Sequence, residues 1–200
     1  MWIKICGLTT AAAVEAALEA HVDAIGFVFA PSVRELAPES AAALAYPARG
    51  RARCVAVTRH PTQAAVDGIV RVFAPDILQS DAEDFGTLRL PAGLEILPVV
   101  REGGAVPLPG RILFEGASSG RGALSDWSVA AALARRTQLV LAGGLNGLNV
   151  AAAIAQVQPF GVDVSSGVEE RAGVKSPARI MSFVAAVRGA CVTAPAARGA

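Results

Sequence analysis

The chain has 200 residues, 53% hydrophobic and 18% charged, with a formal net charge of +1, a balance that fits a globular protein with enough chain to bury a sizeable core. Lysine and arginine are scattered and aromatics make up only 5% of residues, which leaves few candidates for a nucleic-acid groove built on stacking and points to a small-molecule ligand. Cys6, Cys54 and Cys191 are odd in number and lack CxxC spacing, which argues against a disulfide framework or a zinc site and favours a reducing cytoplasm, and no signal peptide or membrane span is read.

Short β-branched runs alternate with Ala/Leu-rich helical segments, the pattern of repeated βα units around a parallel sheet. In the first strand, residues 2–6, Lys4 and Cys6 share one face and Ile3 and Ile5 the other. With the Ile face under helices, Lys4 and Cys6 point into a strand-built interior. Cys6 comes last, at the strand end where parallel α/β folds place their chemistry. A helix at 10–20, strand 23–29, helix 38–46, strand 52–58, helix 61–73 opened by Pro61, and strand 75–79 follow. Residues 80–90 allow only a turn or two before strand 94–100, and Gly103, Gly104, Pro107 and Pro109 favour loop over 101–110, so the fourth and fifth helices are weak. Strand 111–115, helix 126–136 capped by Ser125 or Asp126, strand 138–142, helix 147–157 opened by Asn146, strand 160–164 and helix 176–188 opened by Ser176-Pro177 complete the order. Eight strands predict an α/β fold, a single-domain (βα)8 TIM barrel over residues 1–189, compact beside the typical length of about 250 residues. An open doubly wound sheet is the alternative, and it has no need of an eighth strand. Residues 190–200 are small and patternless and are expected to form a disordered tail.

Two small-residue turns carry a phosphate signal. Strand seven runs into Gly143-Gly144 and strand eight into Ser165-Ser166-Gly167, where backbone N–H groups can approach an anion closely. Barrels often bind phosphate in the loops after strands seven and eight, so an anion is expected there on backbone donors, without a metal. Asp163 alternates against Val162 and Val164, so it points inward beside Lys4 and the two charges are expected to pair.

KICGLT at 4–9, GFVFAPSxR at 26–34, LAGGLNxxNV at 141–150 and GVDVSSGVE at 161–169, followed by Gly173-Val174-Lys175, resemble the phosphoribosylanthranilate isomerase family of tryptophan biosynthesis. The resemblance spans roughly residues 2 to 188. It implies a (βα)8 barrel that carries out, without cofactor or metal, an Amadori rearrangement of a phosphosugar-anthranilate substrate. It makes Cys6 the general base and assigns Arg34 to the anthranilate carboxylate, a match to the guanidinium's bidentate geometry. Lys4, Asp163, Gly143, Gly144, Ser165, Ser166 and Gly167 fall on the substrate-binding side of the same motifs.

The chain departs from the family pattern at the acid. Counting back from Asp126-Trp127 puts Glu115 where the family has an aspartate, the same carboxyl on one more methylene, with a reach longer by about 1 Å. Arg121 stands where the family has a small hydroxyl residue, and Gln79-Ser80-Asp81-Ala82 replaces Gln-Leu-His-Gly, removing a histidine from the mouth. His60 is read as a solvated helix-entry residue. A phosphosugar-binding barrel with lost or altered catalysis stands as the alternative, and a histidine-type sister isomerase fits less well because that reaction commonly uses aspartate at both strand ends.

Overall fold

The structure, a computed structural model, describes residues 1–104, 110–116 and 125–193. Eight parallel strands, β1 (Trp2–Cys6), β2 (Ala24–Val28), β3 (Arg53–Val57), β4 (Ile77–Asp81), β5 (Glu95–Arg101), β6 (Arg111–Glu115), β7 (Gln138–Leu141) and β8 (Gly161–Val164), close in sequence order into a barrel, with β8 paired to β1. Six helices lie among the described residues: α1 (Ala11–Glu19), α2 (Pro38–Ala45), α3 (Gln63–Phe73), α4 (Trp127–Ala134), α5 (Val150–Val157) and α6 (Pro177–Thr193).

Period-two alternation sorts the strand side chains into two apolar layers. Ile3, Ile5, Ile25, Phe27, Val162 and Val164 face outward into the large layer between barrel and helices, where Phe27 and Phe73 meet edge to face at 5.4 Å. Ala24, Val55, Ile77, Leu97, Leu113 and Val140 face inward and pack together inside the barrel. Lys4 and Cys6 also belong to the inner face and stack above that apolar plug, at the end where the strands finish.

Helix starts follow local hydrogen-bond chemistry. Thr10 and Thr62 accept from the backbone N–H three residues on, and Asp126 accepts from Ser128 and Val129. Thr62 therefore caps α3, and Pro61 precedes the cap. Asn146 accepts from the N–H groups of Leu148 and Asn149, forming the entry turn to α5, whose regular part begins later than the sequence predicts.

A 3-10 turn at Ala82–Gly86 is the one helical element between β4 and β5, and the described residues between β5 and β6 hold no helix, as the glycines and prolines there predict. The expected tail differs: α6 runs through Cys191 to Thr193, because the Ala/Val/Gly stretch after Phe183 holds nothing that breaks a helix. Residues 194–200, Pro107, Pro109 and Arg121 lie outside the described residues.

Candidate active site

The C-terminal ends of the strands enclose a cavity of about 340 Å³ whose wall includes Cys6, Arg34, Gln79, Asp81, Arg101, Glu115, Asp163 and Ser165. Residues from every strand but β7 reach it directly, together with the loops that follow β2, β3 and β8. Lys4 lies beneath this wall with no exposed surface.

Strand pairing sets the base of the site. β1 and β8 align Lys4 with Asp163, and Lys4 Nζ donates to Asp163 Oδ1 at 2.7 Å. An isolated buried charge costs several kcal/mol, so the ammonium and carboxylate hold each other in place. Across the other pairing, Cys6 faces Gly26 on β2. A Cβ at position 26 would stand 3.2 Å from both Cys6 Sγ and Lys4 Cε, so the missing side chain is the space those two occupy. Burial pushes the Cys6 thiol above its ordinary pKa; Lys4 pulls it back, Asp163 pushes it further up and Lys175 pulls down, and the net direction is up.

After β8 the chain makes a 3-10 turn, Ser166–Val168, and a small hairpin of β9 (Glu169–Arg171) and β10 (Val174–Lys175). Thr9 Oγ1 donates to Gly173 O at 2.8 Å, fastening this hairpin to the loop after β1. Lys175 Nζ donates to Ser165 O, Ser165 Oγ and Glu169 Oε1. Arg34 meets the same carboxylate with two prongs, Nε to Oε1 at 2.6 Å and Nη2 to Oε2 at 2.9 Å. The guanidinium edge that the sequence assigns to a substrate carboxylate is thus filled by Glu169, which leaves Nη1 as the arm without a hydrogen bond among the described residues.

Burial opposes the charge on Glu169, but hydrogen bonds from Arg34 and Lys175 outweigh it and bring the pKa down from 4.5 to about 2. A lowered folded-state value stabilises the protein above the unfolded pKa and loses that contribution as the pH falls toward the folded one. Urea unfolding is therefore expected to show stability dropping by roughly 3 kcal/mol from this group as the pH falls from above 4.5 toward 2. Glu169→Gln should flatten the profile across that window.

The two phosphate-type turns touch. Gly143 and Gly144 both have positive φ, 90° and 63°, a conformation that suits glycine. A Cβ on Gly167 would fall 1.9 Å from Leu145 O, so only glycine lets the turn after β8 lie against the turn after β7. Ser165 lines the cavity, and Gly143, Gly144, Ser166 and Gly167 are not part of its wall.

On the far side, Glu115 ends β6 and is mostly buried, not a solvated loop carboxylate. Arg101, which ends β5, donates from Nη2 to Glu115 Oε1 at 2.9 Å and from Nη1 to Asp81 Oδ1. This three-residue clamp has no motif in the sequence. Its one visible sign is that Asp81, Arg101 and Glu115 are charged residues ending apolar strands. His60 is solvent-exposed as expected, two residues before the Thr62 cap of α3, and Asp84 Oδ1 holds its Nδ1 at 3.0 Å while the ring turns Nε2 toward Asp81. The hydrogen bond to Asp84 keeps the imidazole above its ordinary pKa.

Fold and site together define the class: a (βα)8 enzyme whose strand ends surround a small-molecule cavity with a buried thiol, carboxylates and guanidinium groups. The family model described as N-(5'phosphoribosyl)anthranilate (PRA) isomerase matches residues 3–85 and 103–186, and the chain belongs to that family. A relative from Rhizobium etli (strain CIAT 652) named N-(5'-phosphoribosyl)anthranilate isomerase is 40% identical over 209 residues, covering 94% of each chain. The crystal structure of TrpF from Jonesia denitrificans superposes with a TM-score of 0.79 at 34% identity, covering 96% of this chain and 98% of that one. A phosphoribosyl anthranilate isomerase in complex with reduced 1-(o-carboxyphenylamino)-1-deoxyribulose 5-phosphate gives a TM-score of 0.79 at 28% identity, over 94% of this chain and 99% of that one.

Proposed function

We infer that this chain converts N-(5-phosphoribosyl)anthranilate to 1-(2-carboxyphenylamino)-1-deoxyribulose 5-phosphate, a step of tryptophan biosynthesis, by an acid/base Amadori rearrangement that uses no cofactor. The observation that carries the reading is one cavity lined by a thiol from β1 and a carboxyl from β6, strands three places apart around the ring. The relative that holds a reduced form of the product supports the same substrate.

In this reading Glu115 protonates the furanose ring oxygen. The bond from that oxygen to the anomeric carbon breaks, and the anilino nitrogen's electron pair forms the iminium. The Cys6 thiolate then takes the proton from the adjacent sugar carbon, whose electron pair moves in to neutralise the nitrogen. The resulting enol-amine becomes the ketone by moving its hydroxyl proton to carbon, so the composition of the sugar is unchanged. Lys4 favours the thiolate, and Asp163 fixes Lys4. Arg101 stands on the carboxyl that must deliver the first proton, and an anionic substrate entering the cavity competes for that guanidinium and releases Glu115.

The remaining assignments are to binding. Arg34 offers Nη1 to the anthranilate carboxylate while Glu169 holds its other edge. Backbone donors at Gly143, Gly144, Ser165, Ser166 and Gly167 take the phosphate. Gln79 lines the cavity and its Oε1 is buried without a hydrogen-bond partner, which suits it to accept from a sugar hydroxyl. No helix among the described residues is long and apolar enough to cross a membrane. With three free cysteines, a cytoplasmic location fits this chemistry.

The test is turnover of phosphoribosylanthranilate by the purified chain, read by loss of substrate fluorescence. Glu115→Gln is expected to lower kcat by about 10²- to 10⁴-fold with product affinity largely kept, because an amide preserves shape and delivers no proton. Glu115→Asp should hold or raise activity. A Glu115→Gln chain that turns over like the parent would place the acid elsewhere, and an inactive parent revived by Glu115→Asp would favour the phosphosugar-binding alternative.

A further inference from the structure

Beside the reacting groups, the loop after β3 and the turn after β4 bring together three side chains that the isomerisation does not use as acid or base. One ligand atom from each of His60, Asp81 and Glu83 lies within 4.8 Å of the others. Asp81 is the informative member. Its side chain is 97% buried, yet Oδ2 has no hydrogen-bond partner. Arg101 uses only Oδ1, and Arg59, whose Nε stands 3.7 Å from Oδ2, is a largely exposed side chain free to swing away.

His60 Nε2 is 3.2 Å from that orphaned oxygen without forming a hydrogen bond. Two ligands bound tetrahedrally to zinc at their normal bond lengths sit about 3.3 Å apart, so the spacing matches a metal's bite. The imidazole is also oriented as metal-ligating histidines are. Its Nδ1 meets the Asp84 carboxylate at 3.0 Å, and Asp84 is itself held by Ser80 Oγ at 2.5 Å and the His60 backbone N–H at 3.1 Å. In the neutral tautomer that donates Nδ1–H to Asp84, Nε2 carries the lone pair that a metal would take, on the side facing Asp81. Glu83 is exposed, and one of its carboxylate oxygens lies within 4.8 Å of the other two ligand atoms.

We propose that His60, Asp81 and Glu83 form a binding site for a divalent transition-metal ion of the zinc class on the rim of the barrel mouth, oriented by Asp84. One imidazole with two carboxylates is a hard-to-borderline donor set suited to zinc, with a fourth position open to water. The ion supplies no step of the rearrangement and its binding is read without turnover, so the site is tested separately from the isomerase reading although Asp81 also lines the reaction cavity and holds Arg101.

The experiment is calorimetric titration of the full chain with zinc at neutral pH, together with the absorption spectrum of the cobalt-substituted protein. One zinc per chain is expected, with tetrahedral cobalt bands and no thiolate charge-transfer band. His60→Asn suits the positive φ of 46° at that position and should abolish saturable binding, as should Glu83→Gln. Asp84→Asn removes only the orienting carboxylate and should weaken binding about 10- to 100-fold. Absence of stoichiometric binding would overturn the proposal and leave His60 as an imidazolium between two carboxylates. Binding that survives His60→Asn, or a cobalt spectrum with thiolate character, would overturn it in favour of cysteine ligation.

Discussion

Cys6→Ala is expected to lower kcat for phosphoribosylanthranilate by about 10²- to 10⁴-fold, the usual contribution of a positioned general base. The side chain is buried at the end of β1 and truncation removes one sulfur beside Gly26, so the barrel should remain folded and product should still bind. The parent's pH profile provides a second reading of the same residue. Burial raises the Cys6 pKa, so kcat/KM should climb with pH toward an apparent pKa above the ordinary thiol range of about 8.5. Lys4 favours the thiolate and Asp163 opposes it. Lys4→Met should therefore move the limb to higher pH and Asp163→Asn to lower pH. A limb that ignores both substitutions belongs to another group.

Lys4→Met should also have the largest effect on stability, about 3–5 kcal/mol in urea unfolding, because it strands the Asp163 carboxylate in the barrel interior. Asp163→Asn strands the ammonium and should cost a comparable amount. The double variant removes both charges, so its cost should fall well short of the sum of the two. That shortfall is the coupling energy of the pair and separates a lost ion pair from a merely disturbed core. Additive losses would mean that each residue stabilises the barrel through different neighbours.

The parts of this molecule that follow from alternation were legible in the chain. Eight β-branched runs became eight strands, and the inward faces of β1 and β8 put Lys4 against Asp163 although 159 residues separate them. A period of two tells which way a side chain points, but not how far around the ring a long side chain swings. For that reason the Arg34–Glu169 fork was not readable, since it depends on a hairpin folding back across the mouth. The Arg101 clamp was hidden in the same way: three charged strand ends are visible in the sequence, while their sharing of one guanidinium is a matter of barrel curvature. The exposure of His60 ahead of α3 was legible, but its orientation was not, because it is set by Asp84, 24 residues later, in a turn that has no regular pattern. The glycine turns announced themselves, but their contact through Gly167 and Leu145 did not.

The stretch between β4 and β6, where the described residues hold no α-helix, bears on how the barrel breathes. A helix follows each of the other strands, whereas here a 3-10 turn and loop residues cover Leu78 and Val100 and leave Ile96 44% exposed. Backbone amides in strands roofed so thinly open to solvent through small local fluctuations, while those of β1 and β8 need the whole barrel to come apart. The wall with Asp81, Arg101 and Glu115 at its rim is therefore expected to exchange its strand amides sooner than the wall that holds the thiol. If the proposed reaction parts Arg101 from Glu115, the substrate works on the side of the ring expected to open first.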